Sequence, residues 1–406
     1  MSATPWLLVG RHLRAHWLRT ALTGASVVVA IFLFCTLVSV VTSLEAAVTG
    51  SATNRIMTQS AVSLFVSLPR DYLSRIAAVD GAQAVTRFQW FGGIYQDPSN
   101  FFAQFGIDHE VFFDMYAKEF EIVQGPGGET GPEALQAVRR AMESDRRAAI
   151  IGTALAREPA FGWQVGDTVP LLGTVFPKAD GSAWEFEVVG VYRPLKPNFD
   201  DRTLFFRYDY LQETLDAGGA LGPAGVGVFA TNVAPGQDPA AVIAAIDRQF
   251  ENGPQVTMSS TEAAFQAAFV SMLGNLPFFV GTIGGAVVFA VIFSVVNTML
   301  MSARQRLHEI GVLKALGFSD AALGRLMLAE SLVLSLGGGL LGAGLARALS
   351  EPMRRGLGAF LPIYAVEGRT LLLAIGISVA IGLVAGLAPA LMAARLRPVQ
   401  ALKSEG

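Results

Sequence analysis

Hydrophobic and polar positions divide this chain into two textures. Four stretches stay apolar on every side of a helix: residues 20–44, 276–301 within the uncharged run 263–303, 323–349, and 370–394. Each exceeds the about 20 apolar residues that a helix needs to cross a bilayer's hydrocarbon core. Residues 45–262, between the first span and the second, instead mix strand and helix periods. AQAVTRFQWFGGIY and FFAQFGID are dense in aromatic and β-branched residues and predict strands, as does WEFEVVGVYRP. RDYLSRIAAVDG, PEALQAVRRAMESDRRA and DPAAVIAAIDRQF carry helical spacing, the first with a glycine stop. VSLFVSLP is a short apolar run ended by proline, and residues 124–132 and 218–227 are glycine-rich loops. The predicted fold class is a membrane protein with four transmembrane α-helices and a large mixed α/β domain inserted between helices 1 and 2.

Charge orients these segments. Arg11, Arg14 and Arg19 precede the first span, and residues 1–19 place Trp6, Val9, Leu13 and Trp17 on one stripe of a basic amphipathic helix. Arg304, Arg306, Lys314 and Arg325 lie between the second and third spans, and Arg395, Arg397 and Lys403 follow the fourth. Positive charge marks cytoplasmic segments, so both termini and the helix expected at 303–318 fall on that side. Residues 45–262 hold 16 basic and 27 acidic residues, a net of −11, and fall outside. The link after the third span runs against the trend, because Arg347, Arg354, Arg355 and Arg369 would lie outside and Glu351 and Glu367 offset only half of them. Three segments of four agree, with residues 395–406 as a cytoplasmic tail.

Composition narrows the chemistry. Hydrophobic residues are 52% and charged residues 16%, too few charges for a soluble enzyme. One cysteine, Cys35, excludes a disulfide framework within the chain, and four scattered histidines offer no metal centre. A signal peptide's apolar core is about 7–15 residues, shorter than the first run, so that run reads as a span. No nucleophile elbow, HExxH or phosphate-binding loop appears, and Asp200–Asp201 beside Arg202 reads as a solvated turn. The aromatics from Phe88 to Tyr116 fit either a strand and helix core or a greasy path for cargo.

Three features inside the membrane segments carry candidate chemistry. Gly281 and Gly285, Gly338 and Gly342, and Gly382 and Gly386 each form a G-x-x-x-G pair of the kind that lets helices pack closely in lipid. Glu330 is the ionisable residue well inside a span, and pairing with Arg325 or Lys314 fits it better than a proton or substrate role. Between spans two and three, Ile310, Leu313 and Leu316 form an apolar edge among Arg306, Glu309 and Lys314. That edge suits either a groove on a soluble partner or a plain interfacial connector.

Here the chain resembles a family. RQRLHEIGVLKALG at 304–317 looks like the R-x-x-E-I-G-x-L-(K/R)-A-x-G signature of MacB/LolC/FtsX-type ABC transporter permeases, the type VII systems. GLVAGLAPALMAARLRPVQALK resembles that family's ending through Pro389, Ala393, Ala394, Arg395, Pro398, Ala401 and Leu402. RHLRAHWLRTALT is similar to its amphipathic entry, and AAIIGTALAREPAFGWQVGDTVPL with FEVVGVY to its periplasmic core domain. The long insert favours the MacB/LolC branch over the cell-division FtsX proteins.

The resemblance implies a permease subunit, two per transporter, that performs no catalysis itself. No cofactor is expected in this chain; two copies of a cytoplasmic ABC ATPase would hold ATP and magnesium. Only 19 residues precede span one, so the ATPase is expected on a separate chain. A second permease chain, identical or related, would complete the dimer, and a periplasmic adaptor and outer-membrane channel are further partners the family admits. Cargo of lipoprotein, lipid, peptide or drug would move by mechanical transmission. Arg304, Arg306, Glu309, Ile310, Leu313 and Lys314 are then the ATPase-coupling residues, with span two as a lever. A membrane-anchored sensor controlling an envelope partner is the rival reading; it shares the spans and the docking helix.

Overall fold

The computed structural model describes residues 17–49, 52, 54–196, 199–272, 276–357 and 364–395. The expected amphipathic entry before Trp17 and the family-like ending past Arg395 lie outside the described residues. The chain separates into two compact units, one built mainly from the membrane helices and one mainly from residues 44–274.

Helix α1 (Trp17–Thr49) carries the first apolar run and starts three residues earlier than the run itself, taking in Arg19. The inserted unit then proceeds through β1 (Arg55–Ser60), α2 (Tyr72–Ala77), β2 (Ala82–Trp90), β3 (Gly93–Ile94), β4 (Ala103–Ile107) and α3 (His109–Met115). It continues with β5 (Phe120–Gln124), α4 (Gly131–Ser144), β6 (Ala148–Gly152), α5 (Thr153–Arg157), β7 (Thr168–Gly173) and β8 (Trp184–Pro194). It closes with β9 (Thr203–Arg207), α6 (Tyr208–Asp216), β10 (Val228–Val233), α7 (Pro239–Phe250), β11 (Thr257–Thr261) and α8 (Glu262–Met272). Among the described residues the strands join in the order β11-β1-β10-β2-β4-β9-β6-β8-β7-β3, with β5 also on β8. The pairs β4–β9 and β6–β8 are parallel and the others antiparallel.

Local sequence explains several boundaries. Pro239 sits in the first turn of α7, and the Asp238 carboxylate accepts the Ala240 N–H at 3.0 Å. Gly81, at φ +89, turns the chain from α2 into β2. The run Val62–Pro69 forms turns, with only Leu68 bridging to Val226. The Ser60 and Ser63 hydroxyls accept the Val62 and Phe65 N–H groups, so side chains occupy backbone donors that a ladder would need.

The aromatics from 88 to 116 belong to the core. Phe91, Phe102, Phe112, Phe113 and Tyr116 are buried, while Phe101 lies exposed. Phe112 stacks on Tyr116 and Phe120, and Phe91 meets Trp184, Phe186 and Phe206 edge-on. Asp200 corrects the expectation of a solvated turn. Its carboxylate accepts the Arg202 N–H and the Thr203 hydroxyl, Arg202 pairs with Glu158 at 3.0 Å, and burial pushes the Asp200 carboxyl up.

The membrane unit resumes with α9 (Leu276–Gln305), then α10 (Leu307–Ala315), α11 (Asp320–Leu357) and α12 (Gly368–Arg395). With α1, these give four helices long and apolar enough to cross a membrane. Helix α11 runs past the expected end at 349, carried by the Glu351–Arg354 pair at 2.9 Å. Two of the glycine pairs seat helix on helix. A Cβ on Gly338 would meet Val27, and one on Gly342 would lie 2.5 Å from the Val28 carbonyl oxygen, so α11 abuts α1 there. Gly382 and Gly386 abut Leu332 and Leu328 of α11 in the same way. Gly281 and Gly285 differ from expectation: among the described residues, a Cβ on either meets nothing within 4 Å.

Candidate functional site

Helices α9 and α10 meet at Arg306, whose backbone (φ −109, ψ 18) leaves the helical region. Span two and the helix expected at 303–318 are therefore two helices with a corner, with Arg304 on α9 and Arg306 at the turn. The corner points the Arg306 guanidinium at α11. It donates to both Glu330 carboxylate oxygens at 3.0 and 3.2 Å, and both side chains are buried. Among the described residues Glu330 thus pairs with Arg306 rather than with Arg325 or Lys314. Arg325 donates to the Ala321 carbonyl on its own helix.

Neighbouring groups extend this ion pair into a polar belt. Arg19 at the start of α1 donates to Gln305 Oε1 at 2.7 Å and to Ser302 Oγ at 3.1 Å. Lys314 bonds Asp320 at 2.8 Å and the Ala394 carbonyl at 3.0 Å. One belt therefore ties α1, α9, α10, α11 and α12.

The apolar edge of α10 faces inward. Ile310 is buried with Leu323, Met327, Ala390 and Ala393, and half-buried Leu313 packs beside them. Gly317, at φ +92, ends the helix, and the Gly317 and Phe318 N–H groups return to the Lys314 and Leu313 carbonyls. This leaves Arg304, Glu309, Val312, Leu316 and Phe318 exposed, with Leu316 at 72%. Of the six expected coupling residues, Arg304 and Glu309 face outward. Arg306, Ile310, Leu313 and Lys314 are committed to holding α10 in place. Sequence reading did not single out Val312 and Phe318 as surface groups; of its apolar edge, Leu316 is exposed, while Ile310 and Leu313 pack inward.

A second buried cluster lies within the inserted unit. Arg55, at the start of β1, bonds Glu262 at 2.8 Å, Glu119 and the Met115 carbonyl, and its guanidinium lies 3.8 Å from the Tyr116 ring centroid. Burial pulls the guanidinium's pKa down, yet Tyr116, Glu262 and Glu119 together hold it above its ordinary value. Burial pushes the Glu262 carboxyl up, partly offset by Arg55. Sequence reading missed this cluster entirely. Arg55 follows α1 by six positions and Glu262 opens α8, so the pair joins the two ends of the insert. Among the described residues no group of three or more His, Cys, Asp or Glu side chains is arranged to hold a metal.

Comparison with known proteins fits these two units. The family model for the MacB-like periplasmic core domain matches residues 20–249, and that for the FtsX-like permease C-terminal region matches residues 281–398. A macrolide export ATP-binding/permease protein MacB from Psychrobacter cryohalolentis is 30% identical over 232 residues, covering 54% of this chain and 33% of its own length. A pyoverdine export ATP-binding/permease protein PvdT from Pseudomonas putida is 33% identical over 157 residues, covering 38% of this chain and 22% of its own length. This chain thus spans a third or less of these curated relatives. The periplasmic region of MacB from Actinobacillus actinomycetemcomitans superposes with a TM-score of 0.36 and 11% identity, covering 56% of this chain and 96% of that one.

Proposed function

The chain belongs to the family of ABC transporter permeases with a MacB-like periplasmic core and an FtsX-like membrane region, and from that premise we propose that it couples a separate cytoplasmic ATPase to motion of its periplasmic domain. The observation that carries this reading is α10. One face of the helix is clamped by Ile310, Leu313 and Lys314, and the other offers Glu309, Val312 and Leu316 to a partner. Such a face suits a groove on a soluble subunit, with Glu309 and Arg304 setting orientation and the apolar groups filling it. Arg306 at the corner transmits, because its bond to Glu330 obliges α9 and α11 to move together. At the other end of the insert, the Arg55–Glu262 pair links the strand after span one to the helix before span two.

In this reading both termini are cytoplasmic and the insert is periplasmic. Two permease chains and two ATPase chains, which bind ATP and magnesium, make one transporter. The cargo is an amphipathic molecule worked on from the periplasmic side. The relatives' names tie MacB to macrolide export and PvdT to pyoverdine export, which favours export, with an adaptor and outer-membrane channel as further partners.

Purification of the full chain from native membranes in mild detergent tests the proposal. Recovery of an ATPase at a 2:2 ratio supports it. Recovery of a signalling protein without any ATPase would favour the membrane-anchored sensor. Orientation is tested in a Cys35→Ala background. Cysteines at Gly128 and Ser182 should react with an impermeant thiol reagent on spheroplasts, and one at Ala315 should not. Ala315 is chosen because it is exposed, whereas Ser302 is buried against Arg19.

A further inference from the structure

Two of the three lysines in residues 45–262, Lys118 and Lys196, line one cleft of about 460 Å³ in the inserted unit, in a segment whose net charge is −11. The fold brings them together from distant parts of the chain. Strands β1 and β10 pair with Arg55 opposite Asn232, which sets both at one end of the sheet, and both line the cleft. The turn after α3 carries Lys118 and Glu119. The Leu195 and Lys196 N–H groups donate to the Glu119 carbonyl, so the backbone seats Lys196 beside that turn. Most charges here have partners: Arg55 bonds buried Glu262, Asp114 bonds Arg139, and Lys196 reaches Glu119 at 3.3 Å. Lys118 is exposed and has no ion pair among the described residues, which leaves one positive charge in excess. Asn232 adds a donor. Its Oδ1 accepts from Arg55 Nε at 3.3 Å, and its NH2 group has no acceptor among the described residues. Two ammonium groups and a carboxamide NH2 thus share one cleft with donors to spare, as an anion site requires.

We propose that this cleft binds the phosphodiester of a phospholipid headgroup. Position favours a lipid. Ala52, on the cleft's wall, follows the last residue of α1 by three positions, a reach of at most about 11 Å. The chain therefore tethers the cleft to the end of the helix that carries the first span, and lysines near a membrane surface are drawn to anionic headgroups. Charge favours a diester. One excess positive charge balances its single negative charge, whereas a phosphate monoester carries about −1.5 to −2 at pH 7. Leu195, next to Lys196, is exposed and offers the glycerol end of a lipid an apolar contact. The remaining lysine of the insert, Lys178, is engaged elsewhere, with its ammonium 5.5 Å from the Trp184 ring centroid. A headgroup seated here would touch the turn that carries Glu119, and so connect the bilayer surface to the Arg55–Glu262 pair. The inference needs only that α1 crosses a bilayer, and goes beyond the reading of the chain as an ATPase-coupled permease.

The test uses the full-length chain, delipidated in dodecyl maltoside, a detergent without phosphate. It is titrated with dioleoylphosphatidylglycerol, with dioleoylglycerol, which has the same tails and no phosphate, or with inorganic phosphate. Hydrogen exchange reads protection of residues 114–119 and 195–196. Phosphatidylglycerol should protect both segments, and the other two ligands should not. Lys118→Gln should raise the half-saturating lipid concentration about fivefold, and Lys118→Gln with Lys196→Gln about twenty-five-fold, the strength expected of one surface lysine each. Lys178→Gln should leave it unchanged. Lys118 is exposed, so its variant should keep the wild-type melting temperature and isolates binding from folding. Equal protection by inorganic phosphate would make this a site for a soluble anion and overturn the lipid assignment. Equal protection by dioleoylglycerol, protection by none of the three, or wild-type half-saturation in the double variant would overturn it as well.

Discussion

Arg306 and Glu330 meet at 3.0 Å with their side chains only 7% and 6% exposed, so each buried charge is compensated in part by the other. Removing one partner of such a pair strands the other and costs about 3–5 kcal/mol, whereas an apolar replacement of both is often close to neutral. Arg306→Gln and Glu330→Gln should therefore each lower the thermal midpoint of the detergent-solubilised chain clearly, and Arg306→Met with Glu330→Leu should recover most of it. If Glu330→Gln kept wild-type stability and assembly but lost transport, a proton or substrate role would replace the structural one.

The two faces of α10 predict opposite phenotypes. Leu316 is exposed, so Leu316→Asp should leave folding intact and reduce recovery of the ATPase at least tenfold, with Glu309→Lys weakening it less. Leu313 packs against Ile310, Leu323 and Met327, so Leu313→Asp should destabilise the membrane unit itself. Pull-down yield read beside melting temperature separates the cases. Full ATPase recovery by Leu316→Asp would make α10 a connector.

Arg55 satisfies two carboxylates that are otherwise sealed in the inserted unit. Arg55→Gln should cost about 3–5 kcal/mol, because buried Glu262 then loses its cation, while Glu119 keeps half-exposed Lys196 at 3.3 Å. Adding Glu262→Gln should return part of the loss. Hydrogen exchange on the full chain reads the result locally: protection should fall in β1 and at the start of α8 and persist in β6 and β8. Uniform loss across the sheet would mean that the pair supports the whole unit rather than its two ends.

His109 opens α3 with its Nε2 buried and unpaired. Burial, helped by Arg207, holds its pKa below the ordinary value of about 6.5. The unfolded chain then takes up a proton at higher pH than the folded one, so stability falls as pH drops from about 6.5 through the lower folded value. The melting midpoint should decline from pH 7 to pH 5, and His109→Gln should flatten that decline. An identical slope in the variant would assign the acid sensitivity to other groups.

Glycine contacts predict a contrast along the membrane unit. A methyl on Gly342 meets the backbone of α1 at 2.5 Å, so Gly342→Ala should cost about 1–3 kcal/mol through overpacking. Among the described residues a methyl on Gly281 meets nothing, so Gly281→Ala should leave the thermal midpoint unchanged or slightly raised. Equal losses at both positions would mean that helix backbone conformation, not interhelical contact, sets the outcome.

Several layers of this protein are local properties, and its sequence alone determines them. A predominantly apolar run of membrane-spanning length has no other stable home, so all four spans were legible, as was the mixed α/β insert between the first two. Strands such as β2, β8 and β10 announce themselves through aromatic and β-branched residues. The strand RIMTQS does not: four of its six residues are polar, and only its place between β10 and β11 buries them. The polar partnerships also waited for tertiary structure, because charge pairing depends on which helices touch. From sequence, Lys314 and Arg325 are nearer to Glu330 than Arg306 is. The corner between α9 and α10 reverses that order by aiming Arg306 at α11 and sending Lys314 to α12. Similarly, a nine-residue helix with apolar groups on several sides does not declare which side faces in. Only the packing of Ile310 against Leu323 and Ala393 decided that Val312 and Leu316 stay exposed.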